Sequence, residues 1–548
     1  MNINIHSLGR YMRTVAYLRP VQIYYRIVRK LLVPKLYSDH LPHLAHSLNE
    51  YILPIKKKKS FSEQGIFNLL NFERNLFECG WDDRSVSLLW RFNQHYHDDL
   101  TAESSPTVHK RHYLLTDHWI ENNVVTSTPS WHPYPTSLRI VNWIKWCIRT
   151  NVCSEKVRLS LALQARWLSK NIEWHILGNH VFANAKALVY AGLFFDGIEA
   201  EEWLATGMKI LETEFDEQIL PDGGHFELSP MYHAIILEDV LDLINICRAS
   251  LSRLSEVHKA QLLNWETHIP LMLTWLNTMS HPDRRLSFFN DAAFGIAAEN
   301  SELLDYAFRL KLDLGSKRTD ELFTFSGYAR IETSTSVLIA DLAEVGATYI
   351  PGHAHADTLS FEFSYLGKRI FVNSGISEYS NTRERLKQRS TLAHNTVCIN
   401  EQNSTEVWSS FRVGRRAKVT QKSLQYLKNN IILTGTHDGY CKDYGVLHKR
   451  TFELQNAQLV ITDDLSKDIK AQARFHLHPK VAIEQKSPFS GILHLENNCP
   501  MYWKVEGVDS VSIEETEWHP EFGLSLKNHC LNIAFSKATC KFILQMDE

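Results

Sequence analysis

The sequence predicts a multidomain fold that is α-helical first and β afterwards, and three observations carry that reading. At 548 residues the chain exceeds what one core usually organises, so two or three domains are expected. From about Ile66 to Leu314 the apolar residues recur at helical spacing, as in Ile236, Val240, Leu243 and Cys247, or Leu161, Ala165, Leu168 and Ile172. After Leu314 the pattern shortens to alternation: Leu359-Ser-Phe361-Glu-Phe363 reads as a strand, Leu366-Gly367-Lys368 as a turn, and Arg369-Ile-Phe-Val as the return. Helices in series followed by strands in series call for two packed domains, not an alternating α/β sheet, and so many helices imply a bundle or a toroid.

The N-terminal element differs from both. From Arg10 to Lys35 there are seven basic residues and no acidic one, interleaved with apolar residues as in Val21-Gln-Ile-Tyr-Tyr-Arg-Ile-Val-Arg-Lys. This spacing predicts basic helices that pack on the body, with a peripheral membrane contact as the alternative. Lys56 to Lys59 reads as an exposed connector to the main body. The first twenty residues lack a continuous apolar stretch and a small-residue cleavage site, and no segment reaches the ~20 apolar residues of a membrane span, so a cytoplasmic location is expected, with the periplasm as the alternative.

Composition narrows the partners. With 59 basic and 62 acidic residues the formal charge is −3, which gives no overall drive toward nucleic acid, so an anionic substrate must meet a local basic patch. The 14 Trp, 20 Tyr and 26 Phe suit a carbohydrate cleft, where aromatic faces stack on sugar rings, and equally suit a large core. Nine cysteines without a CxxC pair read as reduced thiols. The pattern does not fix an oligomeric state.

Four segments concentrate chemistry. Pro351-Gly-His353-Ala-His355-Ala-Asp357 would put two imidazoles on one face if extended, and His394 in Arg389-Ser-Thr-Leu-Ala-His394-Asn395-Thr396 could join them from a neighbouring strand. Gly178-Asn179-His180 precedes an apolar helix, so Asn179 is either a cap or a site residue. Asp222-Gly-Gly-His-Phe-Glu227-Leu-Ser-Pro230 is a glycine turn leading into a Pro-started helix that carries Tyr232 in its first turn. Trp131-His-Pro-Tyr134 through Arg139 mixes aromatics with one arginine.

Taken together and in this order, these motifs resemble the heparinase II/III-like polysaccharide lyases over nearly the whole body of the chain. The resemblance implies an incomplete (α/α) toroid followed by an antiparallel β-sandwich, with a cleft between them for a uronate-containing acidic polysaccharide. The boundaries expected are 1–60 for the basic arm, 61–325 for the toroid and 326–548 for the sandwich. It further implies that Asn179 neutralises the uronate carboxylate, that Tyr232 is base, acid or both, and that His353 is the complementary base or neutraliser. His180, Tyr134, Arg139 and Arg389 are then the expected substrate contacts; Arg389 serves equally as an internal ion pair. In some members of the family the positions of His355, Asn373 and His394 hold zinc; here Asn373 stands where aspartate is usual, so the three either keep zinc or form a metal-free hydrogen-bonded cluster. Ala183 replaces a glutamate that many relatives carry after the histidine of the Asn-His segment.

The chemistry itself asks for these types. Elimination beside a uronate needs one group to neutralise the carboxylate, one to remove the C5 proton and one to protonate the departing O4. Two other functions compete with the lyase. A glycoside hydrolase on a toroid needs two carboxylates across the bond, with Asp222, Glu227 and Asp291 as candidates, and a non-catalytic glycan-binding protein of envelope or capsular exopolysaccharide synthesis needs no turnover.

Overall fold

Helices dominate from Ile5 to Arg309 and strands from Glu321 to Met546 in the computed structural model, apart from one early hairpin and the short helices Arg383–Gln388 and Cys441–Tyr444. It describes residues 5–31, 40–45, 48–102, 108–316, 321–496 and 499–546. The helical part is the incomplete (α/α) toroid, whose main helices are Pro133–Thr150, Glu155–Ser169, Asn179–Phe194, Ile198–Gln218, Pro230–Ala249 and Glu256–Thr278. They share one core in which Leu161, Leu168, Leu188, Leu211, Ile236, Val240 and Leu243 are inaccessible, as the helical spacing requires. The departure is Ile66–Leu69 with Phe72–Asn75, an antiparallel hairpin inside the stretch expected to be helical. Its two-residue turn has Leu70 and Asn71 both at positive φ, the twist that a tight hairpin prefers.

The named strands of the β part pair antiparallel. An eight-stranded sheet runs from Val419–Leu427 at one edge to Ala482–Ser487 at the other and faces two smaller sheets, of five strands (Glu321–Leu322 to Lys368–Phe371) and four (Ser510–Trp518, Leu526–Phe535, Ala471–His476, Val397–Ile399). Phe361, Phe363, Phe371, Phe452, Phe475 and Phe542 interdigitate between them. The sheet opens at Glu321, ahead of the expected boundary at 325/326, because Phe323 to Gly327 closes a turn that pairs Glu321 with Arg330.

The five-stranded sheet is buried on both faces. Leu338, Phe361 and Phe363 point into the sandwich, while Tyr328, Val337 and Ile339 pack on Leu228, Trp275, Met279 and Phe289 of the toroid. The alternating Phe361-Glu-Phe363-Ser pattern therefore does not mark a solvent face: Glu362 and Ser364 meet the toroid, both bonded to His281 at 2.8 and 2.7 Å. Arg330 donates to the carbonyls of Thr278 and Ser280 across the same junction. This contact fixes how the toroid's loops meet those of the sandwich, where the candidate site lies.

The N-terminal helices Ile5–Val15 and Pro20–Leu31 lie across both parts. Arg13 pairs with Glu406 of the β part at 2.7 Å, Arg19 pairs with Glu217 of the toroid, and the buried Gln22 amide donates to the carbonyls of Ile176 and Tyr349, one from each part. The expected connector is largely exposed, but Lys57 folds back onto Glu238 at 2.6 Å. No described helix is long and apolar enough to cross a membrane.

Candidate functional site

Asn179 is the first residue of its helix, and Gly178 before it sits at φ +60°. A side chain at Gly178 would put Cβ 2.9 Å from Glu227 Oε1, so glycine is what lets the Asn179 N–H reach that oxygen at 3.3 Å. The Asn179 Oδ1 is buried and unpartnered among the described residues. A buried amide oxygen without a donor is costly, and its carboxamide is left free to meet a ligand.

Glu227 links this residue to the β part. Its Oε2 lies 3.5 Å from His353 Nε2, so one carboxylate spans the gap between Asn179 and His353. Burial pushes the Glu227 carboxyl above its ordinary pKa, with the neighbouring imidazoles pulling the other way.

Tyr232 is set by its helix start. The Ser229 side chain accepts from the Tyr232 N–H at 3.2 Å and donates its own proton to the Asp291 carbonyl at 2.6 Å. The Tyr232 ring stacks on His353 with centroids 3.9 Å apart, and its hydroxyl meets that of Tyr379 at 3.1 Å. Burial, then Tyr379, raises the Tyr232 phenol well above its ordinary pKa, so it carries its proton at neutral pH.

The histidines do not sit on a strand as expected. Pro351 to His353 forms a 3₁₀ turn and residues 354–357 an irregular segment, because Pro351 and the approach of Asp291 bend the chain: the Asp291 N–H donates to the His353 carbonyl at 3.0 Å. Both imidazoles nevertheless converge on one carboxylate. His353 Nδ1 donates to Asp291 Oδ2 and His355 Nε2 to Oδ1, each at 2.8 Å, while the buried Arg385 guanidinium grips the same two oxygens at 2.7 and 2.5 Å. Arg385 and the two imidazoles hold the Asp291 carboxyl well below its usual range although burial alone would raise it. With Nδ1 committed to Asp291, a neutral His353 keeps its lone pair on Nε2, the nitrogen 3.5 Å from Glu227 Oε2.

His355 Nδ1 and His394 Nε2 face each other at 3.1 Å. His394 spends its Nδ1 proton on the Ser390 carbonyl at 2.7 Å and His355 its Nε2 proton on Asp291. Burial drives both imidazoles below their ordinary pKa, His355 to about 4. Two neutral rings so arranged point two lone pairs at one another, and the Asp357 carboxylate lies within 4.8 Å of both. Two imidazole nitrogens and a carboxylate are a donor set suited to zinc. The carboxylate beside the two rings is that of Asp357, whereas the expected Asn373 is engaged elsewhere: its Oδ1 accepts from the Asn395 N–H at 3.1 Å and its amide leans on Ser360.

His180 lies beside Asn179, a quarter exposed, with its ring 4.6 Å from that of Tyr134. Its Nδ1 meets Glu173 at 3.1 Å. Burial would lower this imidazole, but the Glu173 carboxylate outweighs it and raises the pKa, while Glu173 itself is held at about 2. Glu173 is thus the carboxylate that holds His180.

Two expected contacts are corrected. Arg139 is wholly buried, bonded to Gln164, the His95 carbonyl and Thr136 and lying over the Trp119 ring. Arg389 is equally buried and donates to the carbonyls of Ala354, Ser409 and Ser410, which makes it a brace for the loop carrying the histidines. Both are consumed by backbone and core partners that sequence could not reveal. Conversely, Tyr379 and Arg385 were not among the expected site residues, and Asp291 and Glu227 were weighed only as hydrolase carboxylates. Asp291, an acid two residues after the Phe288-Phe289 pair, did carry a signal of a buried partner.

The fold and site define a toroid-and-sandwich protein in which Asn179, Tyr232 and His353 come together from both parts. Models of this architecture match twice, "Heparinase II/III N-terminus" over residues 131–307 and "Heparinase II/III-like, C-terminal" over 316–540, and the chain belongs to the heparinase II/III-like family. Among curated relatives, the heparin-sulfate lyase of Bacteroides stercoris is 26% identical over 319 residues, 55% of this chain and 45% of that protein. That of Pedobacter heparinus is 24% identical over 247 residues, 41% and 36% of the two chains. The aligned region spans less than half the length of these relatives. Among solved structures, a heparinase III superposes with a TM-score of 0.69 at 17% identity, covering 99% of this chain and 92% of that one. A chondroitin AC lyase from Streptomyces coelicolor reaches 0.51 at 8% identity over 83% and 74%.

Proposed function

We propose that this protein is a carbon–oxygen lyase that cleaves a uronate-containing acidic polysaccharide, of the glycosaminoglycan class that its named relatives act on, by β-elimination. One observation carries the proposal: the protonated Tyr232 phenol is stacked on a His353 whose Nδ1 is locked to Asp291, beside the free carboxamide of Asn179. Asn179, with the imidazolium of His180 next to it, would bind the uronate carboxylate and stabilise the negative charge that develops as C5 loses its proton. His353 Nε2 would take that proton; the electrons of the C5–H bond form the C4=C5 double bond, the C4–O4 bond breaks, and Tyr232 gives its proton to O4. Solvent exchange then returns one proton to Tyr232 and removes one from His353. Tyr379 would hold the Tyr232 hydroxyl toward O4, and Tyr134 would line the approach.

We further propose that His355, His394 and Asp357 hold zinc. Bound there, the metal would supply rigidity to the loop behind His353 by satisfying the two facing lone pairs, and the elimination itself would be carried by the side chains above.

Hydrolysis is disfavoured by the use already made of its carboxylates. Asp222 accepts from Gly224, Phe325 and Ser326 to close a turn, and Asp291 is bound to Arg385, which leaves Glu227 without an opposing carboxylate among the three candidates. The test is to incubate purified protein with a panel of uronate polymers, heparan-type included, and follow ultraviolet absorbance of 4,5-unsaturated ends. Tyr232→Phe and His353→Ala should abolish the signal. New reducing ends without that absorbance would refute elimination, and glycan binding without turnover, unaffected by Tyr232→Phe, would leave a non-catalytic binder.

A further inference from the structure

The two N-terminal helices are docked the wrong way round for a soluble surface. Amphipathic helices normally turn their apolar stripe to the core. Here the polar side faces the body, through Arg13 with Glu406, Arg19 with Glu217, Gln22 with two carbonyls and Arg29 with His175. The apolar stripes face water: Leu8, Tyr11, Met12 and Val15 on the first helix, and Ile23, Tyr24, Ile27 and Leu31 on the second, spaced by three and four. Met12, Tyr24, Ile27 and Leu31 are 66, 60, 56 and 74% exposed. Such concentration within two short helices marks an interaction surface.

The charges that the two helices themselves carry have one sign. No acidic residue occurs in the first 38 positions. Arg26 and Lys30 border the second stripe, exposed and with no ion pair among the described residues, and Arg412 of the β part adds an exposed guanidinium close enough for its like charge to act on Arg26. Tyr11 and Tyr17 stand under Arg412 and Arg416, so aromatic rings and guanidinium groups share the rim. Apolar stripes that include tyrosines, flanked by unpaired cations, are what a helix needs to lie in the headgroup layer of an anionic bilayer.

We propose that the helices Ile5–Val15 and Pro20–Leu31 form a peripheral docking surface for an anionic lipid bilayer, with Ile23, Tyr24, Ile27 and Leu31 entering the acyl boundary and Arg26, Lys30 and Arg412 meeting lipid phosphates. The unpaired positive charge of Arg26, Lys30 and Arg412 selects this occupant over a second copy of the chain, since two such faces would repel. The surface would tether the protein without a spanning segment, and it stands independently of the reaction assigned to the cleft.

The test is flotation of the full chain with vesicles of phosphatidylcholine alone and of phosphatidylcholine mixed with phosphatidylglycerol, at low and high salt. Binding is expected on the mixed vesicles, weakened by salt, and weaker by at least about tenfold in Arg26→Glu with Lys30→Glu. Ile27→Glu with Leu31→Glu should abolish it. Ile27→Ser with Leu31→Ser, at positions already in water, should melt with the wild type and still lose binding. No flotation with either vesicle would overturn the proposal. So would undiminished binding by the Ile27 and Leu31 variants, or vesicle-free self-association in sedimentation velocity that those substitutions remove.

Discussion

Asp291→Asn isolates what the buried carboxylate does for His353. Asp291 accepts four hydrogen bonds, two from Arg385 at 2.5 and 2.7 Å and one from each of His353 and His355 at 2.8 Å. Asparagine keeps the shape but turns one oxygen into a donor. In either amide orientation that NH₂ meets an Arg385 N–H and an imidazole N–H, and the fully buried guanidinium loses its only counter-charge among the described residues. Breaking a buried pair from one side costs about 3–5 kcal/mol. A chain in the upper part of the ordinary range, about 5–15 kcal/mol, stays folded at room temperature with a visibly lower melting point. In the cleft, His353 can then move its proton to Nε2, where it can no longer act as a base, and kcat should fall by about 10²- to 10⁴-fold, the range of a general base. Thermal melting and the rate of unsaturated product, measured on the same samples, separate the two effects. Asp291→Asn with Arg385→Gln should regain part of the stability, because neither partner is left charged and alone, and none of the rate. Wild-type kcat in folded Asp291→Asn would refute the positioning role, and so would recovery of the rate in the double variant.

Three further outcomes follow from the same geometry. Tyr379→Phe removes one hydrogen bond from the Tyr232 hydroxyl, worth about 0.5–1.5 kcal/mol, so kcat should drop severalfold with KM little changed; an unchanged kcat would remove Tyr379 from the site. His180 is charged below a pKa that Glu173 raises above the ordinary value, so KM for the acidic polymer should climb as pH rises through it. In Glu173→Gln that climb should move to lower pH, and an identical KM–pH profile would show that His180 charge plays no part in binding. Metal analysis of the purified protein should find about one zinc per chain, lost in Asp357→Ala and His394→Ala and kept in Asn373→Ala; zinc retained without Asp357 would refute the donor set.

The order of elements was legible because helical and strand spacings do not resemble one another. The same rule failed at Ile66 to Asn75, where a hairpin too short to disturb an eleven-residue window hides between helices. Asn179, Tyr232 and His353 were legible through their motifs, each beside a glycine or proline that bends the backbone. Arg139 and Arg389 were misread because charge alone suggests a surface contact, whereas both guanidinium groups end on buried carbonyls. Such partners lie far along the chain, 44 and 35 residues away for these two bonds, and local patterns carry no trace of them.

The reading of His353 and His355 depends on the same point. Spacing two apart assigns a shared face only on a strand, and the chain there is bent, yet the rings still converge because each donates to a different oxygen of Asp291. That carboxylate comes from the loop between the helices Glu256–Thr278 and Asn300–Arg309 of the toroid, and Arg385 reaches it from the sandwich side. One ion pair therefore holds the helical and β parts in register at the point where His353 meets Tyr232 and His355 meets His394. It couples the cleft to the proposed zinc ligands through one residue. Loss of zinc should accordingly loosen His353 as well as its own loop, so that chelation lowers kcat even though no step of the elimination passes through the metal.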